Sequence, residues 1–321
     1  MTTTPTAARP VIRIASRASQ LALWQARHVT DLIQTAQPGV TVEIVEVSTT
    51  GDRDRFSALS QMGGQGVFTR EVQAAVLDGR ADLAVHSLKD LPTEPTAGLV
   101  LGAVPDRAPV YDAIILPAAM AAQTAEGSEV LRQLPREARI GTGSLRRQAQ
   151  LLHYRSDFKL LENRGNVETR LKKLDAGEFD AIILAEAGLR RLGYADRISG
   201  LLCPPLMLPA VGQGALGIEC RADDEFVIEV LRLITNSSVL AAVTAERTLL
   251  SVLRAGCHAP LGVWTQADGV QLKLDAVVLS TDGKERLTAT VVGPTADPRA
   301  IGVEAAEKLR AQGAERLLAK M

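Results

Sequence analysis

The chain has 321 residues, of which 46% are hydrophobic and 23% charged, a balance that excludes a disordered chain and predicts a globular one. Acidic and basic residues nearly cancel, 37 against 36, and aromatics are only 3%. No global field therefore draws the chain to nucleic acid or an acidic membrane, and little is left for stacking bases.

Residues 1–10 are polar and lack the charged start and apolar stretch of a secretory signal, so no export is expected. Val11–Ala15 reads as a strand, and Ser19 is placed to cap a helix carrying Leu21, Leu23, Trp24 and Ala26. Thr41–Val47 is β-branched enough for a second strand. Ser48–Gly66 is rich in Gly, Asp and Ser without periodicity, which predicts a long loop of the mobile or functional kind. Phe68–Leu77 puts Phe68, Val72, Ala75 and Val76 on one helical face, with Gly79 as the stop. Asp82–Val85 is a short strand running into His86-Ser87-Leu88-Lys89-Asp90. A second α/β unit is expected from Asp112, with strands at Ala113–Leu116, Arg139–Gly141, Lys159–Leu161 and Asp180–Leu184 and a helix over residues 166–176. The prolines at 204, 205 and 209 mark a boundary. A long helix over 239–255, strands at Val270–Leu279 and Glu285–Val292, and a last helix over 298–312 follow as a small α+β domain. No apolar run approaches the ~20 residues of a membrane helix, so no membrane partner is expected.

Several segments carry chemistry. Gly212-Gln213-Gly214-Ala215-Leu216-Gly217 matches the dinucleotide fingerprint, but a strand-like run follows where a helix should open, so a tight crossing of the chain is preferred. At Gly141-Thr142-Gly143-Ser144-Leu145-Arg146-Arg147 a strand ends in a glycine turn and a helix begins. Free N–H groups, hydroxyls and two guanidinium groups there suit an anion, against the plainer reading of a solvated helix start. Arg17, Arg164, Arg170 and Arg191 also fall near strand ends, where ligands with several carboxylates or phosphates would bind. Lys89-Asp90 is either a proton-transferring pair or a surface ion pair. Three cysteines without CxxC spacing argue against disulfides, against zinc or any other metal site, and for a reducing cytoplasm. Cys203 and Cys220 read as small core residues. Cys257, in Gly256-Cys257-His258, is a nucleophile, an attachment point or an inert buried thiol.

In order along the chain, Ile14-Ala15-Ser16-Arg17-Ala18-Ser19-Gln20-Leu21-Ala22, Val85-His86-Ser87-Leu88-Lys89-Asp90-Leu91-Pro92, Gly141 to Gln148, Arg164-Gly165-Asn166-Val167, Leu208-Pro209-Ala210-Val211-Gly212-Gln213-Gly214 and the Gly256-Cys257-His258 loop resemble the porphobilinogen deaminases. The resemblance implies two α/β domains like those of periplasmic binding proteins, joined by a double crossover, plus a small α+β C-terminal domain. Their expected extents are 11–104 with 215–232, then 111–208, then 237–321. It implies a transferase of tetrapyrrole (heme) biosynthesis that condenses four porphobilinogen molecules into linear hydroxymethylbilane with loss of ammonia. A dipyrromethane cofactor would be held covalently at Cys257, with Asp90 as the catalytic carboxylate. Ser87, Lys89, Thr142, Ser144, Arg146, Arg147, Arg164 and Gly165 would bind the cofactor, and Arg17, Ser19, Arg170 and Arg191 the substrate. A cytoplasmic monomer is implied.

Three departures from that family's usual pattern stand out. Gln65 fills the frequent lysine position of a Gly-Gly-Lys-Gly loop and Gln61 is likewise uncharged, so loop closure there would not depend on lysine charge. The serine pair after Thr142 is reduced to Gly143-Ser144, and Ala255 stands for the first glycine before the cysteine. Other classes, a non-catalytic anion binder on the same fold or a cysteine-nucleophile hydrolase, differ in what they require. A binder needs neither Asp90 nor a tethering thiol, and a hydrolase needs a rapidly alkylated one.

Overall fold

The computed structural model describes residues 11–48, 69–120, 125–256 and 259–319. The chain divides into two compact units, Met1–Asp106 with Leu216–Ser237, and Arg107–Ala215 with Ser238–Met321. In chain order the strands are β1 (Val11–Arg17), β2 (Thr41–Val47), β3 (Leu83–Ser87), β4 (Leu99–Ala103), β5 (Asp112–Ile115), β6 (Ala125–Glu126) and β7 (Arg139–Gly141). They continue as β8 (Lys159–Leu161), β9 (Ala181–Ala185), β10 (Gly200–Leu202), β11 (Leu216–Arg221), β12 (Leu261–Ala267), β13 (Gln271–Leu279) and β14 (Arg286–Pro294).

The first unit is a sheet of order β2-β1-β3-β11-β4. β1 runs parallel to β2 and β3, and β11 is antiparallel to both β3 and β4. Ile12, Ile14, Ala15, Leu83 and Ala84 are wholly buried, as central strands covered on both faces require. On one face Ile12, Ile14 and Leu83 pack with Val29 and Ile33 of the Gln20–Ala36 helix and Val227 of the Glu225–Leu233 helix. On the other, Ala15 and Ala84 meet Val72 and Val76 of the Arg70–Leu77 helix. Ser19 caps the first helix by accepting from Ala22 N, and Gly79 takes φ +73° just past the Arg70–Leu77 helix. The parallel strands β1 and β3 thus end side by side at Arg17 and Ser87.

The second unit holds a mixed sheet of order β6-β10-β5-β9-β7-β8 and a separate sheet of order β12-β13-β14. Ile114, Ile140 and Ile183 face one core, while Ile115, Ile182 and Leu184 face another. The three-stranded sheet has its own core, in which Leu249, Val263, Leu274, Val291 and Ala305 meet. Most of that core is its own, although Val277 and Leu279 pack with Ala149 and Leu208; we propose that residues 237–321 are a subdomain of their own, and that the boundaries at 11–104 with 215–232 and at 111–208 stand. The architecture is mixed α/β, as expected.

Strands β4, β10 and β12 and the Glu225–Leu233 helix were not among the elements read from the sequence. Gly212 and Gly214 adopt φ +69° and +85°, and β11 begins at Leu216, so no helix follows the glycine-rich run. A Cβ on Gly214 would lie 2.4 Å from the Ala108 carbonyl oxygen, which is the close crossing expected of it. Among the described residues no single helix is long and apolar enough to cross a membrane.

Candidate active site

In the first unit, the ends of β1 and β3 open into a pocket lined by Arg17, Ser19, Leu21, Ala22, Gln25, Thr69, Val72, Val85, His86, Ser87 and Asp90. Four residues expected in the site, Arg17, Ser19, Ser87 and Asp90, therefore come together here. Leu88–Asp90 forms a single 3-10 turn after β3 that buries Leu88 and leaves Asp90 exposed, so the apolar side chain anchors the turn and the carboxylate is presented outward. Lys89 is half-buried on the same turn. Gln25 donates to the Ser87 hydroxyl at 2.8 Å, tying the first helix to the strand end. His86, Thr69 and Gln25 were not among the expected site residues. Their one sequence signal is a polar side chain near the carboxyl end of a strand or facing it.

In the second unit, the turns after β7 and β8 lie side by side. Thr142 N donates to Leu161 O, and the Thr142 hydroxyl accepts from Ser144 N. Ser144 is the cap of the Leu145–Tyr154 helix yet makes no side-chain capping bond, so its hydroxyl is not spent on the helix. Gly143 is exposed, and a Cβ there would meet nothing closer than 3.7 Å. Gly165 at φ +111° has no such room, since a Cβ would sit 2.8 Å from Thr169. Arg164 pairs with Glu162, and Arg170 Nε donates to Gly165 O at 2.7 Å. Arg191 is tied to Gly214 O at 2.7 Å, and burial lowers its pKa to about 10.

Arg146 and Arg147 are placed differently from the solvent-facing anion fork read from the sequence. They are 3% and 6% exposed and both turn onto Asp112. Arg146 Nη1 reaches Asp112 Oδ2 at 2.7 Å and Leu208 O at 2.7 Å. Arg147 donates from Nη2 and Nε to Asp112 Oδ1 and from Nη1 to Ile183 O. Burial pushes the Asp112 carboxyl upward, but the two guanidinium groups outweigh it and hold it well below the usual carboxylate range. The carboxylate that these two arginines meet is the chain's own.

Cys257 and His258 lie outside the described residues, as do residues 49–68, which hold almost all of the expected loop with Gln61 and Gln65. Cys203 and Cys220 are free thiols whose pKa burial raises, Cys220 to about 11; Cys220 is the core residue expected, whereas Cys203 is half-buried rather than in the core.

A family model described as "Porphobilinogen deaminase, dipyromethane cofactor binding domain" matches residues 12–229, and "Porphobilinogen deaminase, C-terminal domain" matches residues 240–311. The chain belongs to the porphobilinogen deaminase family. It is 44% identical over 310 residues to the porphobilinogen deaminase of Geobacter metallireducens, covering 97% of this chain and 94% of the relative. With that of Gloeobacter violaceus it is 46% identical over 307 residues, covering 95% and 92%. Among solved structures, a YaeC-family lipoprotein from Enterococcus faecalis is similar at TM-score 0.41 and 17% identity, over 72% of this chain and 93% of that one.

The dipyrromethane cofactor of porphobilinogen deaminases is a pair of linked pyrroles carrying carboxylates, and the second unit's donor set fits it. An uncapped hydroxyl at Ser144, open space over Gly143 and the guanidinium group of Arg164 stand on two adjacent turns, and Arg170, on the helix that follows, bonds back to Gly165 O.

Proposed function

We propose that this chain condenses porphobilinogen into hydroxymethylbilane with Asp90 as its catalytic carboxylate and with dipyrromethane held at Cys257. Asp90 lining one pocket with Arg17, Ser19 and Ser87, in a chain of this family, is the observation that carries the assignment. Bound cofactor supplies the anchored end from which the product grows. Arg17 binds a side-chain carboxylate of the incoming pyrrole, and Ser19 and Ser87 add hydroxyl donors. Loss of ammonia leaves a cationic methylene carbon on the substrate, and the Asp90 carboxylate stabilises that charge at close range. Lys89, Thr142, Ser144, Arg164, Gly165, Arg170 and Arg191 hold the carboxylates that accumulate as units are added. We infer further that the protein works as a cytoplasmic monomer; an odd set of cysteines without paired spacing supports the reducing compartment.

Intact mass tests the covalent part. The native protein should exceed its sequence mass by two pyrrole units, and Cys257→Ser should lose that mass and its activity together. A fully active protein at bare-chain mass would refute attachment.

Arg164→Leu tests the anion site. Its half-buried side chain pairs with exposed Glu162, an ion pair worth ~0–1 kcal/mol, so the fold should tolerate its loss. Binding should weaken by about 1.5–3 kcal/mol per lost charged contact, seen as slower cofactor loading or elongation at unchanged thermal stability. A destabilised variant whose folded fraction loads and elongates normally would make Arg164 structural.

A further inference from the structure

His86 stands near the carboxyl end of β3, with a side chain only 4% exposed, and it is one of the residues of the pocket that Asp90 lines. Behind it, Glu219 of β11 places Oε2 3.0 Å from His86 Nε2, off the line of a straight N–H···O bond. Glu219 is itself 5% exposed and accepts from Gln73 Nε2 at 2.9 Å. An imidazole and a carboxylate of the sheet, whose adjoining residues are Val85, Ala84 and Ile218, and an amide of the Arg70–Leu77 helix are thus buried together. Burying polar groups costs free energy that apolar side chains would not incur, and packing alone does not call for it.

The condensation makes two demands on this pocket. The C–N bond of the aminomethyl group breaks, ammonia leaving with the electron pair, and an anion must stand beside the cationic carbon that remains. The free α-carbon of the growing chain's terminal pyrrole then forms a C–C bond to that carbon. The same α-carbon must next give up its proton, returning the C–H electron pair to the ring. A carboxylate that took this proton would lose the charge the first demand requires.

We infer that His86, backed by Glu219, is the base that removes the α-carbon proton, and that Asp90 remains the anion. With Glu219 beside Nε2, the other ring nitrogen, Nδ1, is the one that takes the proton. Glu219 then holds the imidazolium, and the proton passes to the released ammonia, which departs as ammonium and leaves His86 neutral again. Gln73 is a positioning residue that fixes Glu219.

The inference rests on Asp90 being the catalytic carboxylate, and one experiment separates the two. Turnover of cofactor-loaded H86Q and E219Q is measured with porphobilinogen carrying hydrogen or deuterium at its free α-carbon. For H86Q, kcat should fall about 10²-fold with KM little changed, because a base acts on this proton only in the transition state. Deuterium should slow H86Q more than it slows the wild type. E219Q, which keeps the shape of the acid and its contact with Gln73, should show a smaller fall and the same added deuterium sensitivity. It decides the matter if H86Q does not fold. Near-normal turnover, or a loss without added deuterium sensitivity, would overturn the role of His86. Asp90→Asn slows the earlier C–N cleavage and should add no deuterium sensitivity. A fast Asp90→Asn variant would therefore sink the Asp90 reading alone.

Discussion

Asp90→Asn is expected to fold like the wild type and to lose about 10²–10³-fold in turnover, because the anion that stabilises the cationic carbon is gone. The side chain is exposed at the end of a turn that is anchored by buried Leu88, so the substitution removes a charge without opening a cavity. Asparagine keeps the size and one acceptor but cannot stand as an anion beside the cationic methylene carbon. Mass and turnover should be measured on one preparation, because a variant that loads cofactor slowly would mimic a catalytic defect. Single-turnover assays with porphobilinogen then separate binding from chemistry. A folded, loaded variant within a few-fold of wild type would show that Asp90 is not the catalytic group.

The second large effect is on stability. Asp112→Asn should destabilise the second unit by about 3–5 kcal/mol, because it leaves two guanidinium groups buried without their carboxylate. Urea unfolding measures this directly. The Asp112 carboxyl is held below its unfolded value, so its contribution is present above the ordinary carboxylate pKa. As acid is added, that contribution shrinks progressively from about pH 5, as the unfolded carboxyl begins to protonate, and is gone once the pH has fallen through the lowered folded value. The wild type should therefore be more stable than the variant at neutral pH, and the gap should close only in stronger acid. If Asp112→Asn keeps wild-type stability but fails to load cofactor, Arg146 and Arg147 serve an external carboxylate after all.

Much of the site was legible because it follows strand ends. Thr41–Val47, Arg139–Gly141 and Lys159–Leu161 were read with the bounds they have, since β-branched or apolar runs there stop at turn residues. Asn166 was read at the start of its helix, and it caps it by accepting from Thr169 N. What stayed hidden is non-local. Asp112 lies 34 residues from Arg146, and no local spacing announces that a strand's first residue will claim two arginines of a later helix. Glu219 sits in a run that reads as a plain strand, and its partner Gln73 is 146 residues away. The strand Leu99–Ala103 carries Gly102 in its midst and shows no clean alternation. The Glu225–Leu233 helix holds Val and Ile, which favour strands, and the Asp224 cap that accepts from Val227 N is its plainest signal.

β11 lies between β3 and β4, although nearly the whole of the second unit's α/β portion, Arg107–Ala215, is made before it. During synthesis, the first unit's β3 and β4 must wait with unsatisfied edges until residues 216–221 have emerged. Such long-range pairing folds slowly, and open edges invite other chains to pair with them. A chain broken off between Leu91 and Leu216 would keep the Asp90 turn in its sequence but lack the strand that backs it. For this protein, truncation is then a hazard of aggregation before it is a loss of catalysis.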